Sequence, residues 1–371
     1  MKKLVFSTLV FSSFLFAEDF SFDMDELDKM EVKSYEYSGY IKAEQKHQVL
    51  NESSVMYKKK DKSSMDTYIG EAFLNYKYYK DDFTFSTDIV ARYENLDKEE
   101  SDTYTLNQAV LSYKYDENNK VEIGKKTAKW GKGYYFNPIG FIDRKKNPSE
   151  PEASREGYTQ VNYKYNKVLN GDLQNISFDV VYLKTSEDFN EDLYSKDSNA
   201  LAFKTYMLYR DIDIDLAYYY NDEVSNKLGI DFSTNLDVNF EIHAEYAKSS
   251  NDEDSYLAGL KYITNTELTI ISEYFYQDTE QEKTTPFWDN QYMINSFTQK
   301  ELFDILYFNM YYKNTLNVDD KSFLNKLGIT YSGIKNIDID FSVSKYDGDD
   351  TSEFGGKLVD KFSWIQMKYS F

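Results

Sequence analysis

The chain has 371 residues, no cysteine, 36 tyrosines, 26 phenylalanines and a net charge of −21. Without cysteine there is no disulfide scaffold and no thiolate metal site, and the acidic balance argues against the basic footprint of a nucleic-acid binder. Rings in such number favour pleated, half-buried surfaces and hence β structure.

Met1 to Ala17 begins with Lys2 and Lys3, continues as an apolar run from Leu4 to Phe16, and ends on a small residue before Glu18 and Asp19. That pattern predicts a signal peptide over 1–17, cleaved during secretion. The acidic stretch 18–34, with Leu27, Met30 and Val32 at roughly helical spacing, is expected to form a periplasmic N-terminal segment. From residue 35 onward the period is two nearly everywhere. Phe83, Phe85, Ile89 and Tyr93 alternate with Thr84, Ser86, Asp88 and Arg92, and Ile212, Ile214, Leu216, Tyr218 and Tyr220 alternate with Asp213, Asp215, Ala217 and Tyr219. Such alternation reads as strands with one apolar and one polar face. It yields about eighteen candidate strands between 35 and 371, or sixteen if the least regular are dropped; 291–298 is the least regular of all.

Connections sort by length. Short ones at Lys80–Asp82, Asp116–Asn118, Arg210–Asp211, Asn235, Asn265 and Gly333–Lys335 alternate with long polar ones near 48–65, 95–102, 127–156, 186–198, 277–290 and 347–360. Short turns at one end and long loops at the other are the habit of outer-membrane barrels. In hydrocarbon every backbone N–H and C=O must be satisfied within the protein, so the sheet must close. The expected fold is therefore all-β: a transmembrane antiparallel β-barrel over 35–371, with one long loop folding inward.

The last strand, Trp364 to Phe371, carries Ile365, Met367, Tyr369 and Phe371 at every second position. This resembles the C-terminal signature of Gram-negative outer-membrane proteins. The resemblance implies that Tyr369 and Phe371 form the signal read by the barrel-assembly machinery, with outer-membrane lipid and lipopolysaccharide as surroundings.

The stretch 127–156 stands apart. Three of the four prolines lie there, and it is basic in an acidic chain. Proline cannot donate to a sheet ladder, so a long loop is expected. The segment IGKKTAKWGKGYYFNPIGFIDRKKNP resembles a segment of a loose set of proteobacterial outer-membrane barrels, porin-like in kind, through Gly124, Lys125, Trp130, Gly131, Asn137 and Pro138. Trp130, Gly131, Asn137 and Pro138 are the expected loop anchor. Lys129, Lys132, Arg144, Lys145, Lys146 and Arg155 are the candidate pore constriction, a cationic rail opposed by lumen-wall acids Asp213, Asp215, Asp231, Glu241 and Glu245. Fixed charge at a narrow point sets ion selectivity. The alternative placement puts these bases at the outer surface, against lipopolysaccharide phosphates.

Two histidines, His47 and His243, are too few and too scattered for a metal centre, and His243 reads as a solvated wall residue. No catalytic Ser/His/carboxylate grouping and no glycine-rich phosphate loop is readable, so no enzyme activity, metal or cofactor is expected. The leading expectation is a porin-like outer-membrane channel for passive diffusion of small hydrophilic solutes or ions, with a homotrimer as its analogical assembly. A substrate-specific or polymer-export channel and an adhesive or structural surface barrel are the alternatives.

Overall fold

The computed structural model describes residues 33–54, 57, 62–191, 193, 196–278 and 290–371. The expected leader over 1–17 lies outside these residues, as does the segment 18–34 apart from Lys33 and Ser34. From Tyr35 the chain forms eighteen strands. They are β1 (Tyr35–Leu50), β2 (Ser64–Lys80), β3 (Phe83–Leu96), β4 (Glu99–Lys114), β5 (Asn119–Lys126), β6 (Tyr158–Val168), β7 (Leu173–Thr185), β8 (Ser198–Tyr209) and β9 (Ile212–Asn221). The ring continues with β10 (Lys227–Asp237), β11 (Phe240–Ser249), β12 (Asp254–Ile263), β13 (Leu268–Gln277), β14 (Gln291–Gln299), β15 (Phe308–Asn317), β16 (Phe323–Ile334), β17 (Ile337–Asp347) and β18 (Val359–Ser370).

Each strand pairs antiparallel with its sequence neighbour, and β1 pairs with β18, so the sheet has no edge. The seam runs in register from Tyr40↔Ser370 to Val49↔Lys361. Gly39 and Phe371 exchange backbone hydrogen bonds of 2.9 and 3.0 Å at its end. Closure is what makes the outward face tolerable: Ile365, Met367 and Tyr369 on β18, Leu216, Tyr218 and Tyr220 on β9, and Phe341 and Val343 on β17 are all exposed. A continuous apolar wall of this extent is stable against hydrocarbon and unstable against water. Among the described residues no helix is long and apolar enough to cross a membrane; the chain crosses with strands.

Eighteen strands are found, including 291–298, here Gln291–Gln299. Three boundaries differ most from expectation. The long loop expected at 95–102 is a two-residue turn at Asp97 and Lys98, both with positive φ, because β3 and β4 continue pairing through Leu96↔Glu99; their charged tips had the composition of a loop. The turn expected at Asn235 lies at Val238 and Asn239, after a bulge between Asn235 and Asp237. The apolar alternation over 301–313 reads as one strand, but β15 begins only at Phe308, since Glu301, Phe303, Asp304 and Tyr307 all take positive φ around a short 3-10 turn, Leu302–Asp304. Apolar residues there imitate a strand that left-handed backbone cannot form.

Candidate functional site

Residues 127–157, between β5 and β6, turn into the lumen. Such a loop has no ladder to satisfy its backbone, and buried unpaired N–H groups are costly. Three carboxylates take seven of them. Asp143, within the loop, accepts from the N–H groups of Ala128 at 2.7 Å and Trp130 at 2.9 Å. Glu245, on the wall at β11, accepts from Lys132 and Gly133, both at 2.6 Å, and from Ile139 at 3.2 Å. Glu273, on β13, accepts from Tyr134 and from Tyr135, the latter at 2.9 Å. Glu245 and Glu273 are almost wholly buried. Charge-assisted hydrogen bonds of this kind are about twice as strong as neutral ones, and they bind the loop to the wall without any regular secondary structure.

Packing adds to this. Trp130, Ile139, Phe141 and Ile142 from the loop cluster with Val181, Leu183, Ala200, Ala202, Ala217 and Tyr219 from β7, β8 and β9. Small wall residues leave room for large loop residues, so this side of the lumen becomes a dry core. A second cluster joins Tyr135 and Phe136 to Leu257, Phe275, Tyr292 and Ile294, and also to Phe354 from the connection between β17 and β18. Phe136 stacks on Phe275 with ring centroids 4.2 Å apart. Glu353, beside Phe354, accepts from the Tyr292 hydroxyl at 2.6 Å and from Asn317 at 2.9 Å.

The loop reaches the far wall. Lys313 on β15 donates to the carbonyls of Pro148 at 3.0 Å and Ser149 at 2.9 Å, and β15 stands nine strands from β6 in a ring of eighteen. The inner wall of β18, β1, β2 and β3 carries its own ion-pair network. Lys42 lies 2.7 Å from Glu44 and 3.0 Å from Glu71, Arg92 lies 3.1 Å from Glu71, and Trp364 donates to Glu44 at 2.9 Å.

No protein-family model and no curated protein matches the chain. Solved structures do. OccK9 of Pseudomonas aeruginosa superposes with a TM-score of 0.61 at 8% identity, covering 91% of this chain and 98% of that one. OccAB4 of Acinetobacter baumannii gives 0.58 at 10%, covering 91% and 98%. A variant of the Rh. blastica porin gives 0.51 at 11%, covering 91% and 100%. The fold is that of the outer-membrane porins.

Within this porin fold the six basic residues singled out above fall into three kinds. Lys129 and Lys145 are exposed, and no acidic partner pairs with either among the described residues. Lys132 pairs with Asp215 at 3.3 Å and lies 5.3 Å from the Tyr206 ring centre, while Arg144 pairs with Glu156 at 3.2 Å and lies 5.0 Å from the Tyr158 ring centre. Lys146 donates to the carbonyl of Gly133, and Arg155 to that of Arg144 at 2.5 Å, so these two fasten the loop to itself. Protein packed around Lys145 and Lys146 pushes both ammonium pKa values below the ordinary lysine value.

Gly131 has φ 101, and a Cβ there would lie 2.8 Å from a Glu245 oxygen; this position requires glycine on both counts. Asn137 accepts through its side chain from the Lys146 N–H at 3.2 Å and through its carbonyl from Gly140 at 2.9 Å, and Pro138 follows it at the turn.

Of the wall acids, Glu241 accepts from the Tyr134 hydroxyl at 3.1 Å. Burial and the facing carboxylate push that phenol's pKa upward, so it stays a donor. Asp213 accepts from the Tyr206 hydroxyl. Asp215, Asp231 and Glu245 are directly opposed on β9, β10 and β11, and neither Asp231 oxygen has a hydrogen-bond donor. His243 is buried rather than solvated: its Nε2 lies 2.9 Å from Glu273, in space that Gly259 leaves by lacking a side chain. Glu273, Asp143, Lys313 and Phe354 escaped the sequence reading. Glu273 had a signal, as the one acid among Thr269, Ile271 and Phe275 on its face of β13.

Proposed function

We propose that the protein is a porin-like channel of the outer membrane, passing small hydrophilic solutes or ions by diffusion through a lumen narrowed by residues 127–157. The observation that carries this reading is the loop's course across the barrel: it leaves the wall between β5 and β6, is gripped along its length by Glu245 on β11 and Glu273 on β13, and is held by Lys313 on β15, nine strands from β6. A loop of this size free of such attachments would be a surface loop; one fixed across a wide barrel restricts it. In this reading Lys129 and Lys145 supply the fixed charge of the passage, Lys132 and Arg144 are neutralised by their partners, and Trp130, Gly131, Asn137 and Pro138 hold the loop's shape. Export through the inner membrane by a cleaved leader, assembly through the strand ending in Tyr369 and Phe371, and trimer formation belong to the same proposal.

Planar bilayers containing the folded protein are expected to show stepwise conductance. Bilayers that stay silent with barrel folded in detergent would overturn the channel reading.

A substrate-selective channel is the second reading, and the meeting of two loops in one apolar cluster at Phe136 and Phe354 favours it. A passage narrowed twice discriminates among solutes more than one narrowed once. Liposome swelling with neutral sugars against charged solutes of similar size separates the two: rates that follow size alone support the general pore.

A further inference from the structure

On the outward wall, where β15, β16, β17, β18 and β1 run side by side, lies a groove of about 380 Å³. Tyr312, Leu327, Val343 and Val49 line it, and Lys345, Lys361 and His47 stand at the same place. The basic groups sit near the strand ends that carry the long loops, and below them Phe341, Ile365 and Met367 continue the apolar face. Lys345 and Lys361 are directly opposed across the β17–β18 ladder, and Lys361 is opposed to Val49 across the seam. Like charges facing each other on a sheet are destabilising. Lys345 reaches Asp347 at 3.4 Å and His47 reaches Asp66 at 2.8 Å, but no acid pairs with Lys361 among the described residues. In a chain of net charge −21, two lysines meeting above an apolar groove leave a local positive charge uncompensated by the protein.

We propose that this groove binds one phosphorylated glycolipid of the outer leaflet. Its phosphate lies between Lys345 and Lys361, and an acyl chain runs along Leu327 and Val343. The chemistry selects an amphiphile: the lysines ask for an anion at headgroup level, and the apolar channel beneath them asks for a chain covalently joined to it. Lysine near an anionic membrane surface contributes about 1 kcal/mol, so two together amount to roughly a 25-fold change in affinity. The inference uses the outer-membrane placement and is independent of what the lumen transports.

The test is native mass spectrometry of the folded barrel in detergent, titrated with bis-phosphorylated lipid A. One lipid is expected per barrel, with retention weakened about 25-fold in the double variant Lys345→Gln, Lys361→Gln, and unaffected by Lys248→Gln on the distant strand β11. Millimolar inorganic phosphate is expected not to compete, because it lacks the chain. Equal retention by the double variant, displacement by phosphate alone, or barrels that pair through this face and take no lipid would each overturn the proposal. Far-UV circular dichroism establishes that the variant is folded, and bilayer conductance of the same sample keeps the two readings apart. Conduction without lipid retention sinks only this inference, and retention by a silent barrel sinks only the channel.

Discussion

The Lys313 ammonium and the Pro148 carbonyl are joined by a 3.0 Å hydrogen bond at the wall of the lumen opposite β6. Lys313 belongs to β15, whereas Pro148 lies in the connection leaving β5. A hydrogen bond to a charged group contributes about 1.5–3 kcal/mol, enough to hold a loop tip that makes few other polar contacts with that wall. Lys313→Ala is therefore expected to raise current noise and open-state conductance in single-channel recordings, with Lys313→Arg close to wild type. Traces from Lys313→Ala that match wild type would remove the tether from the account.

Glu245→Ala strands three loop N–H groups in a dry interior. Each lost charge-assisted bond costs about 1.5–3 kcal/mol, so the loop base should detach and conductance should rise more than in Lys313→Ala. Glu245→Gln keeps one acceptor oxygen and should fall between. Limited proteolysis inside 127–157 gives an independent readout: cutting should be fast in Glu245→Ala and slow in wild type. Protection of the variant equal to that of wild type contradicts the clamp.

Selectivity should follow exposure. Lys129→Gln with Lys145→Gln removes the two exposed basic groups of the loop that no acid pairs with among the described residues, and reversal potentials in a salt gradient should move toward cations. Lys132→Gln should move them less, because its charge is already opposed by Asp215 at 3.3 Å. Lys146→Gln and Arg155→Gln should alter conductance and noise more than selectivity, since their donors are spent on loop carbonyls. An equal shift from all of these variants would show that ion pairing inside the loop does not matter.

Alkaline pH should shift selectivity toward cations early. Lys145 keeps an open face, but the protein crowded around it inside the barrel lowers its ammonium below the ordinary lysine value of 10.5, so it loses its proton before a free lysine does. Reversal potentials measured at rising pH should drift toward cations below that value, and the drift should be smaller in Lys145→Gln. Burial, first, and then Arg155 lower Lys146 in the same direction. A folded-state pKa below the unfolded one means the unfolded chain holds more protons, so the contribution of these two groups to stability increases as pH rises through the folded values and is complete above the unfolded one.

Strand number and facing were readable because a period of two survives wherever one face meets lipid. Even 291–298 kept it, with Tyr292 and Ile294 inward and Met293 outward. The misread places have local causes. Asp97, Lys98, Glu99 and Glu100 look like loop, yet only the first two turn, because strands can extend beyond the membrane where charge is harmless. Phe303, Ile305, Leu306 and Tyr307 look like strand, yet left-handed residues among them break it. The inward course of 127–157 had a trace in its apolar residues Trp130, Phe136, Ile139, Phe141 and Ile142, an unusual set for a loop facing water. What pairs with what was beyond reach: Lys132 and Lys129 are alike in sequence, and only the curvature of the barrel brings Asp215 to one of them.

The attachments of residues 127–157 also dictate an order of events. The wall groups that hold the loop's backbone, Glu245, Glu273 and Lys313, come 106 to 165 positions later in the chain, so a nascent polypeptide holding this segment lacks the groups that fix it across the lumen. The shell must curl most of the way round before Glu245, Glu273 and Lys313 arrive. Narrowing is thus the final act of maturation, and a newborn barrel is briefly wider than the adult one.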